Sequence, residues 1–441
     1  MQIIVIGAIA GGSTAASQIR RALPDANITL IGSDRSIGYG TCGMPFVIGG
    51  IIEDANLIKG PSPENFSATK NIETLTQHQV LSIDRQYQQV EVENLQTKER
   101  FHLPYDKLVL STGTRSRIPS YEGLETIPFF TLKHLEDMEA IQDFIRKYQP
   151  TSCAIVGGGF IGIELAENLI HLGLETTVIL RGDHVMSSMD PKMSTRLMDE
   201  MKSNGVQFIL NTEISQVSNH TLTMQNGTTI TVDFLLASIG TIPNTELASD
   251  AGLSLGVTKG VPVNAYMQTA DSNIYAIGDI AETEHFILQQ PTRIELAWHA
   301  HRAASIVAEH LKGNSTPITP FLGTTITKLF SLSAAMTGCS EKELQRAGRI
   351  YKTVEHTGRT NAGYYPDHGM IDIRVHYDPV SRNILGAQAV GTKGVDKRID
   401  VLATAIIGGL TIDQLAGLEL SYSPPYSSPK DPLNMVGYKA D

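Results

Sequence analysis

Two stretches of this chain follow one pattern: a short apolar run, a glycine turn, then a helix-like segment. Residues 2–6 (QIIVI) are nearly all apolar, which predicts a strand buried on both faces. Gly7, Gly11 and Gly12 follow, then a predicted helix with Arg20 and Arg21 near its end, then a strand at 28–31. The second copy starts with a strand at 154–156, continues through Gly157, Gly159 and Gly162 into a helix, and reaches a strand at 177–180. Each copy closes on a similar segment, DKLVLSTG at 106–113 and DFLLASIG at 233–240. Alternating apolar and polar positions at 79–94 and 206–231 predict antiparallel strands before each closing segment. The pattern therefore predicts two related βαβ units, each carrying a β-meander. From about residue 320 the glycine turns stop. Strands at 350–354, 370–375 and 384–390 alternate with helices near 341–347 and 394–408, after a linker marked by Gly313, Pro317 and Pro320. The fold class expected is α/β: two Rossmann-like domains and a third α/β domain.

Composition narrows the classes of function. The chain has 441 residues, enough for two to four domains. A net charge of −11 argues against nucleic acid, which selects a basic face. Three cysteines do not make a disulfide scaffold and point to a reducing cytosol. No apolar run reaches the roughly 18 residues of a membrane span, and no basic segment precedes the apolar N-terminus.

The second glycine turn is a complete G-x-G-x-x-G between a strand and a helix, the context in which backbone amides and a helix N-terminus receive a pyrophosphate. The next strand ends Leu180-Arg181-Gly182-Asp183. Arg181 at that end favours a 2′-phosphate and hence NADPH, with Asp183 as the alternative ribose contact. The first turn departs from the motif, because Ile9 stands at the second glycine. Gly32 occupies the end of the following strand, where an acid is expected, and Asp34 stands two residues on. A flavin signature compensates at 269–279 (TADSNIYAIGD), where Gly278 and Asp279 are placed to meet FAD, as are Thr112 and Gly113 in the first closing segment. The first domain is therefore discontinuous, 1–115 with 245–318, around a nicotinamide-nucleotide domain at 116–244, with the third domain at 319–441. Between the two fingerprints lies Gly40-Thr41-Cys42-Gly43-Met44-Pro45. Cys153 and Cys339 are more than a hundred residues away in sequence, so a disulfide formed by Cys42 is expected to be with a small external thiol.

The paired units, the two closers, the IYAIGD segment and the third domain resemble the pyridine nucleotide-disulfide oxidoreductases over essentially the whole chain. The single cysteine narrows the resemblance to coenzyme A-disulfide reductases, NADH oxidases and NADH peroxidases. The first glycine loop has Ala10 where the peroxidases have a His. The segments ASQIRR (16–21), WHAHRAA (298–304), NAGYYP (361–366) and SYSPPYSSPK (421–430) are similar to the coenzyme A-disulfide reductases. That family implies a homodimer with one FAD per subunit and coenzyme A disulfide as substrate, while the choice of NADPH as reductant rests on Arg181. It implies Cys42 as redox nucleophile, and Thr14, Gln18 and Arg21 as coenzyme A contacts. The i, i+4, i+7 spacing of those three independently puts them on one helix face. Lys70, His301 and Lys430 would serve the ADP end. Tyr364 and Tyr422 would reach the site from the partner subunit, Tyr422 close to the flavin. Gly38 and Thr41 stand where the family has a Ser and an Asn beside the nucleophile. The His-Pro of dithiol reductases is replaced by Pro424-Pro425-Tyr426.

Plainer readings stand beside these. Arg20 and Arg21 can be a solvated helix end, and Lys70 an ordinary helix-terminal cation. His299 and His301 can be structural, Tyr422 and Tyr426 interface packing, and Cys153 a small buried side chain. A water-forming NAD(P)H oxidase using a Cys42 sulfenic acid and a persulfide or polysulfide reductase use the same scaffold. The Pro-rich 421–430 segment is also compatible with a non-enzymatic redox sensor.

Overall fold

The computed structural model describes residues 1–441 and divides into two compact units. The first comprises Met1–Met44, Ile52–Arg115 and Thr241–Phe321. Its centre is a five-stranded parallel sheet in the order Ile274–Ala276, Lys107–Leu110, Gln2–Ile6, Asn27–Ile31, Glu73–Leu75. Val5 pairs with Leu30 on one side and Val109 on the other. Successive side chains point to opposite faces, so the apolar run feeds two cores. Ile3, Val5, Ile28 and Leu30 pack with Ala15, Ala16 and Ile19 of helix α1 (Ala10–Ala22). Ile4, Ile6, Ile31, Leu108 and Leu110 pack with Val80, Val90 and Val92 of the antiparallel meander His78–Asp84, Gln89–Asn94, Arg100–Pro104.

The second unit comprises Pro45–Ile51, Ser116–Gly240 and Leu322–Asp441. It repeats the parallel sheet with Gln207–Ile209, Glu175–Ile179, Ser152–Val156, Phe234–Ala237 and Phe129–Thr131, in that order. Helix α2 (Phe160–His171) follows the central strand. The pattern at 206–231 predicts antiparallel strands throughout. Instead Gln207–Ile209 joins the parallel sheet beside Glu175–Ile179, and only residues from Ile214 onward form the meander. Alternation reports a strand but not its partner. A second, antiparallel sheet runs Thr325–Leu329, Leu332–Gly338, Ile384–Gly391, Met370–Tyr377, Lys352–Arg359. Both of its first two strands lie outside the sequence reading, and for Leu332–Gly338 the reason is that Ser, Ala and Gly carry little strand signal. Leu332–Gly338 is recruited by pairing with Ile384–Gly391, which is buried along its whole length, and Thr325–Leu329 adds to its other side as the edge strand.

Back in the first unit, helix α3 (Ala297–Leu311) packs against α1 through Ala303, Ala304 and Val307. Small residues at the contact, including Gly11 and Ala300, let the two helices approach closely. In the second unit, helix α4 (Val395–Ile407) covers Leu332–Gly338 and Ile384–Gly391.

Candidate active site

The two glycine turns have the same geometry. Gly7 has φ +104° and Gly157 has φ +102°. A Cβ at either position would stand 2.1 Å from a carbonyl oxygen, that of Ser111 or Ser238. Both glycines are therefore required twice over, by backbone conformation and by contact with the closing segment. Gly12 and Gly162 also repeat each other, since a Cβ there would come within 1.6 Å of the Gly7 carbonyl oxygen and 2.3 Å of the Gly157 one. Gly159 differs: its φ is −76° and a Cβ would meet no protein atom within 4 Å. That position faces open space, as close approach of a pyrophosphate to the backbone would require. Ile9, its counterpart, also has negative φ, −88°, so the departure from the motif costs no backbone strain.

Around the first turn, Asn244 clamps Thr112 and Gly113. The Thr112 hydroxyl donates to the Asn244 carbonyl at 2.6 Å, and the Asn244 amide side chain donates to the Thr112 carbonyl at 2.9 Å. Gly113 (φ +63°) and Gly278 (φ +71°) sit in left-handed conformations; a Cβ at Gly113 would meet no protein atom within 4 Å, and one at Gly278 would touch Ala300 at 3.6 Å. Asp279 accepts a hydrogen bond from Thr114 at 3.2 Å, and Arg293 donates to the Asp279 carbonyl at 2.9 Å. Gly32 is explained by packing, because a Cβ there would lie 2.6 Å from the Cβ of Ala8. Asp34 is half-buried and accepts from the Tyr39 hydroxyl at 3.1 Å. The open positions and the clamped closing loop fit FAD in the first unit and a nicotinamide dinucleotide in the second.

Cys42 lies in a 3-10 turn, Thr41–Gly43, and is the one exposed thiol. Burial pushes the thiols of Cys153 and Cys339 up to about 12, which makes both inert. The Cys42 loop is fastened at both ends. The Gly38 amide donates to the Ala8 carbonyl at 2.9 Å, and the Gly40 amide to the Ile58 carbonyl at 2.7 Å. Gly38 has φ +55°, and a Cβ there would stand 3.2 Å from Ser13 Oγ, so a Ser at this place would be strained. Thr41 is half-buried beside the thiol.

Residues 1–304 match the model of the pyridine nucleotide-disulphide oxidoreductases, and residues 324–431 match the dimerisation domain of the same enzymes. The chain belongs to this family. Coenzyme A disulfide reductase of Staphylococcus aureus (strain bovine RF122 / ET3-1) is 41% identical over 440 residues, covering 100% of this chain and 99% of the relative. Reduced Bacillus anthracis CoADR-RHD superposes with a TM-score of 0.97 at 36% identity, over 99% of this chain and 79% of that one. An NAD-dependent persulfide reductase from A. fulgidus gives 0.96 at 34% identity, over 99% and 82%. Membership makes the protein an FAD-dependent oxidoreductase that uses a pyridine nucleotide, with a dimerisation domain. No helix is long and apolar enough to cross a membrane.

Thr14 and Gln18 of α1 and His301 of α3 line one groove of about 520 Å³. Thr14 Oγ1 and His301 Nδ1 lie 2.7 Å apart. His299 is a different case: it is buried against Phe321 with ring centroids 4.2 Å apart, and burial pushes it down to about 4. Arg20 is structural, its guanidinium donating to the carbonyls of Pro24, Ala26 and Asn71. Arg21, by contrast, is exposed, one turn beyond Gln18. Lys70 ends the helix Pro63–Lys70, exposed and outside the groove. Trp298, Arg302 and Ser305 complete the groove lining, and sequence reasoning gave them no role. Their signal was present, since 298, 302 and 305 repeat the i, i+4, i+7 spacing of 14, 18 and 21.

In the second unit, Arg181 is exposed beyond the strand Glu175–Ile179 and lies 3.4 Å from Glu213. Asp183 is engaged by His184 at 2.5 Å, whose hydrogen bond lowers the carboxyl below its usual range. The tail at 421–430 and the loop at 361–366 are held together. The Ala362 amide donates to the Pro424 carbonyl at 3.2 Å, and Ser428 to the Asn361 carbonyl at 3.3 Å. Beneath them buried Arg398 grips Asp431 in two hydrogen bonds of 3.2 and 2.9 Å and donates to the Thr360 carbonyl at 2.8 Å. The result brings Tyr364 and Tyr422 together on the surface, hydroxyls 3.2 Å apart. That hydrogen bond raises the Tyr422 phenol above its ordinary range. Lys430, from the same tail, sits over the ring of Tyr438 at 5.0 Å.

Proposed function

We propose that this enzyme reduces coenzyme A disulfide to two coenzyme A thiols with NADPH, as a cytosolic homodimer. The observation that carries the reading is a single exposed, partnerless thiol at Cys42 on a flavin- and nicotinamide-binding scaffold. The 41% identical relative named coenzyme A disulfide reductase supports it over the whole length. Arg181 beyond its strand supports NADPH over NADH, because a guanidinium pairs well with a 2′-phosphate. Gly7, Gly113, Gly278 and Asp279 of the first unit would hold FAD, which would supply at sulfur the two electrons that the nicotinamide provides. At rest Cys42 carries one coenzyme A as a mixed disulfide. Two electrons break that S–S bond, releasing one coenzyme A thiol and leaving the Cys42 thiolate. The thiolate attacks a coenzyme A disulfide, re-forms the mixed disulfide and expels a second coenzyme A thiolate. That thiolate takes a proton from the Tyr364–Tyr422 pair of the partner subunit, whose raised phenol holds its proton at neutral pH. The sum is one NADPH, one proton and one disulfide in, NADP and two thiols out. Thr14, Gln18, Arg21 and His301 hold the substrate, with Gly38 and Thr41 beside the sulfur and Lys70 and Lys430 at its phosphates. The acidic net charge argues against a nucleic-acid partner.

The test is thiol release against NADPH loss, with NADH in parallel. Wild type should release two thiols per NADPH, faster with NADPH than NADH. Cys42→Ser should keep its flavin and lose at least 10³-fold in rate, the order expected when a covalent nucleophile is removed. Undiminished turnover in Cys42→Ser would sink the nucleophile assignment. The persulfide-reductase relative motivates one second reading, reduction of a persulfide held at Cys42. A persulfide substrate outpacing coenzyme A disulfide would favour it, and oxygen consumption matching NADPH loss without any disulfide would favour an oxidase.

A further inference from the structure

The groove between α1 and α3 has a chemistry narrower than a generic substrate cleft. Its six lining residues are Thr14, Gln18, Trp298, His301, Arg302 and Ser305, without one carboxylate in a chain of net charge −11. Trp298, the only tryptophan, is 69% exposed there, unusual for the most apolar-bodied aromatic side chain. Arg302 is half-buried on the same wall, and no hydrogen bond or ion pair engages it. Arg20, a few residues from the opposite wall, shows how this fold quiets a guanidinium it does not need, by spending it on three backbone carbonyls. Arg302 is left open. Trp298, Arg302 and Ser305 form one stripe on α3 facing the stripe of Thr14 and Gln18 on α1. An aromatic face, a free guanidinium and hydroxyl and amide donors, in a space of about 520 Å³, suit a purine nucleotide phosphate.

We propose that Trp298 and Arg302 are specificity-determining residues: the indole stacks on the adenine of the substrate and the guanidinium takes its ribose phosphate. The assignment rests on the coenzyme A reading above. It adds Trp298 and Arg302 to the nucleotide end already given to His301, Lys70 and Lys430, and makes them the residues that set the preference for a nucleotide-bearing disulfide. A base stacked on an aromatic side chain contributes enough for roughly ten-fold or more in affinity.

Because Trp298 is the sole tryptophan, its emission reports on the groove directly. The flavin-loaded, oxidised enzyme is titrated with adenosine 3′,5′-bisphosphate, which has no thiol and cannot be reduced. The expected result is a saturable change in tryptophan emission, with the dissociation constant raised about ten-fold in Arg302→Gln and by added salt. In steady state, Trp298→Leu should cut the preference for coenzyme A disulfide over pantethine, a disulfide without the nucleotide, about ten-fold, through KM rather than kcat. Emission unmoved by saturating bisphosphate, in an enzyme that does reduce coenzyme A disulfide, overturns the proposal and leaves the function standing. So does an equal loss on both disulfides in Trp298→Leu, which would make Trp298 a packing residue. A saturable response in an enzyme inactive on coenzyme A disulfide would support the groove and remove the proposed reaction instead.

Discussion

Ala8 and Gly32 form a complementary pair, and the missing acid at the end of the second strand follows from it. The chain shows the absence at once, but the reason is a contact between two turns that no local pattern reports. A Cβ at 32 would overlap that of Ala8 at 2.6 Å. Gly32→Asp, which restores the usual acid, should therefore destabilise the first unit by about 1–3 kcal/mol, the range for overpacking a close contact. Thermal melting checks this, and adding Ala8→Gly should recover much of the loss. A single variant that melts like wild type would mean that the turn has room the geometry denies. The isolation of the Cys42 thiol, by contrast, was legible from sequence alone, because its distance from Cys153 and Cys339 is a matter of spacing, and their burial only reinforces it.

The glycine turns were legible as elements because their requirements are local: a positive φ, a close carbonyl, a helix start. Their positions nevertheless do different work. Gly162→Ala would press a methyl to within 2.3 Å of the Gly157 carbonyl oxygen, so it should unfold the turn and lower the melting temperature. Gly159→Ala meets no protein atom within 4 Å, so the fold should hold while the dissociation constant for NADPH rises by roughly ten-fold or more. Melting curves and equilibrium titration separate the two; equal loss of stability in both would contradict the assignment of Gly159 to ligand approach. What the pattern did not carry was pairing. The strand Gln207–Ile209 looked like part of a meander, and Leu332–Gly338 carried too little signal to be seen. The groove escaped for the same reason, since α1 and α3 are nearly three hundred residues apart and meet only in the fold, through an apolar seam rich in alanine and the Thr14–His301 contact.

At the scale of the molecule, buried ion pairs join distant parts of the second unit. Asp190 accepts from Arg374 Nε at 2.6 Å and faces His376 Nε2 at 2.8 Å, while Arg374 also reaches Glu341 at 2.9 Å and pairs with Glu355. Burial alone would raise the Asp190 carboxyl, but His376 and Arg374 together hold it at about 2. Asp431 is likewise held low: burial opposes ionisation, and Arg398 with local donors prevails. A carboxyl depressed in the folded state contributes stability in full above its unfolded value near 3.9, and loses it as pH falls toward the folded value. Stability should thus drop steeply between about pH 4 and pH 2, read by circular dichroism, and Asp190→Asn should flatten that drop. A profile unchanged in Asp190→Asn would contradict the role given to this cluster. These pairs were invisible in sequence because their members lie up to 186 residues apart.

The central claim is that Cys42 holds one coenzyme A as a mixed disulfide. Intact mass of the native, unreduced enzyme, before and after a thiol reductant, tests it most directly. The account predicts an increment of one coenzyme A less two hydrogens, lost on reduction and absent in Cys42→Ser. A bare chain, or one carrying only an added oxygen at Cys42, would contradict it.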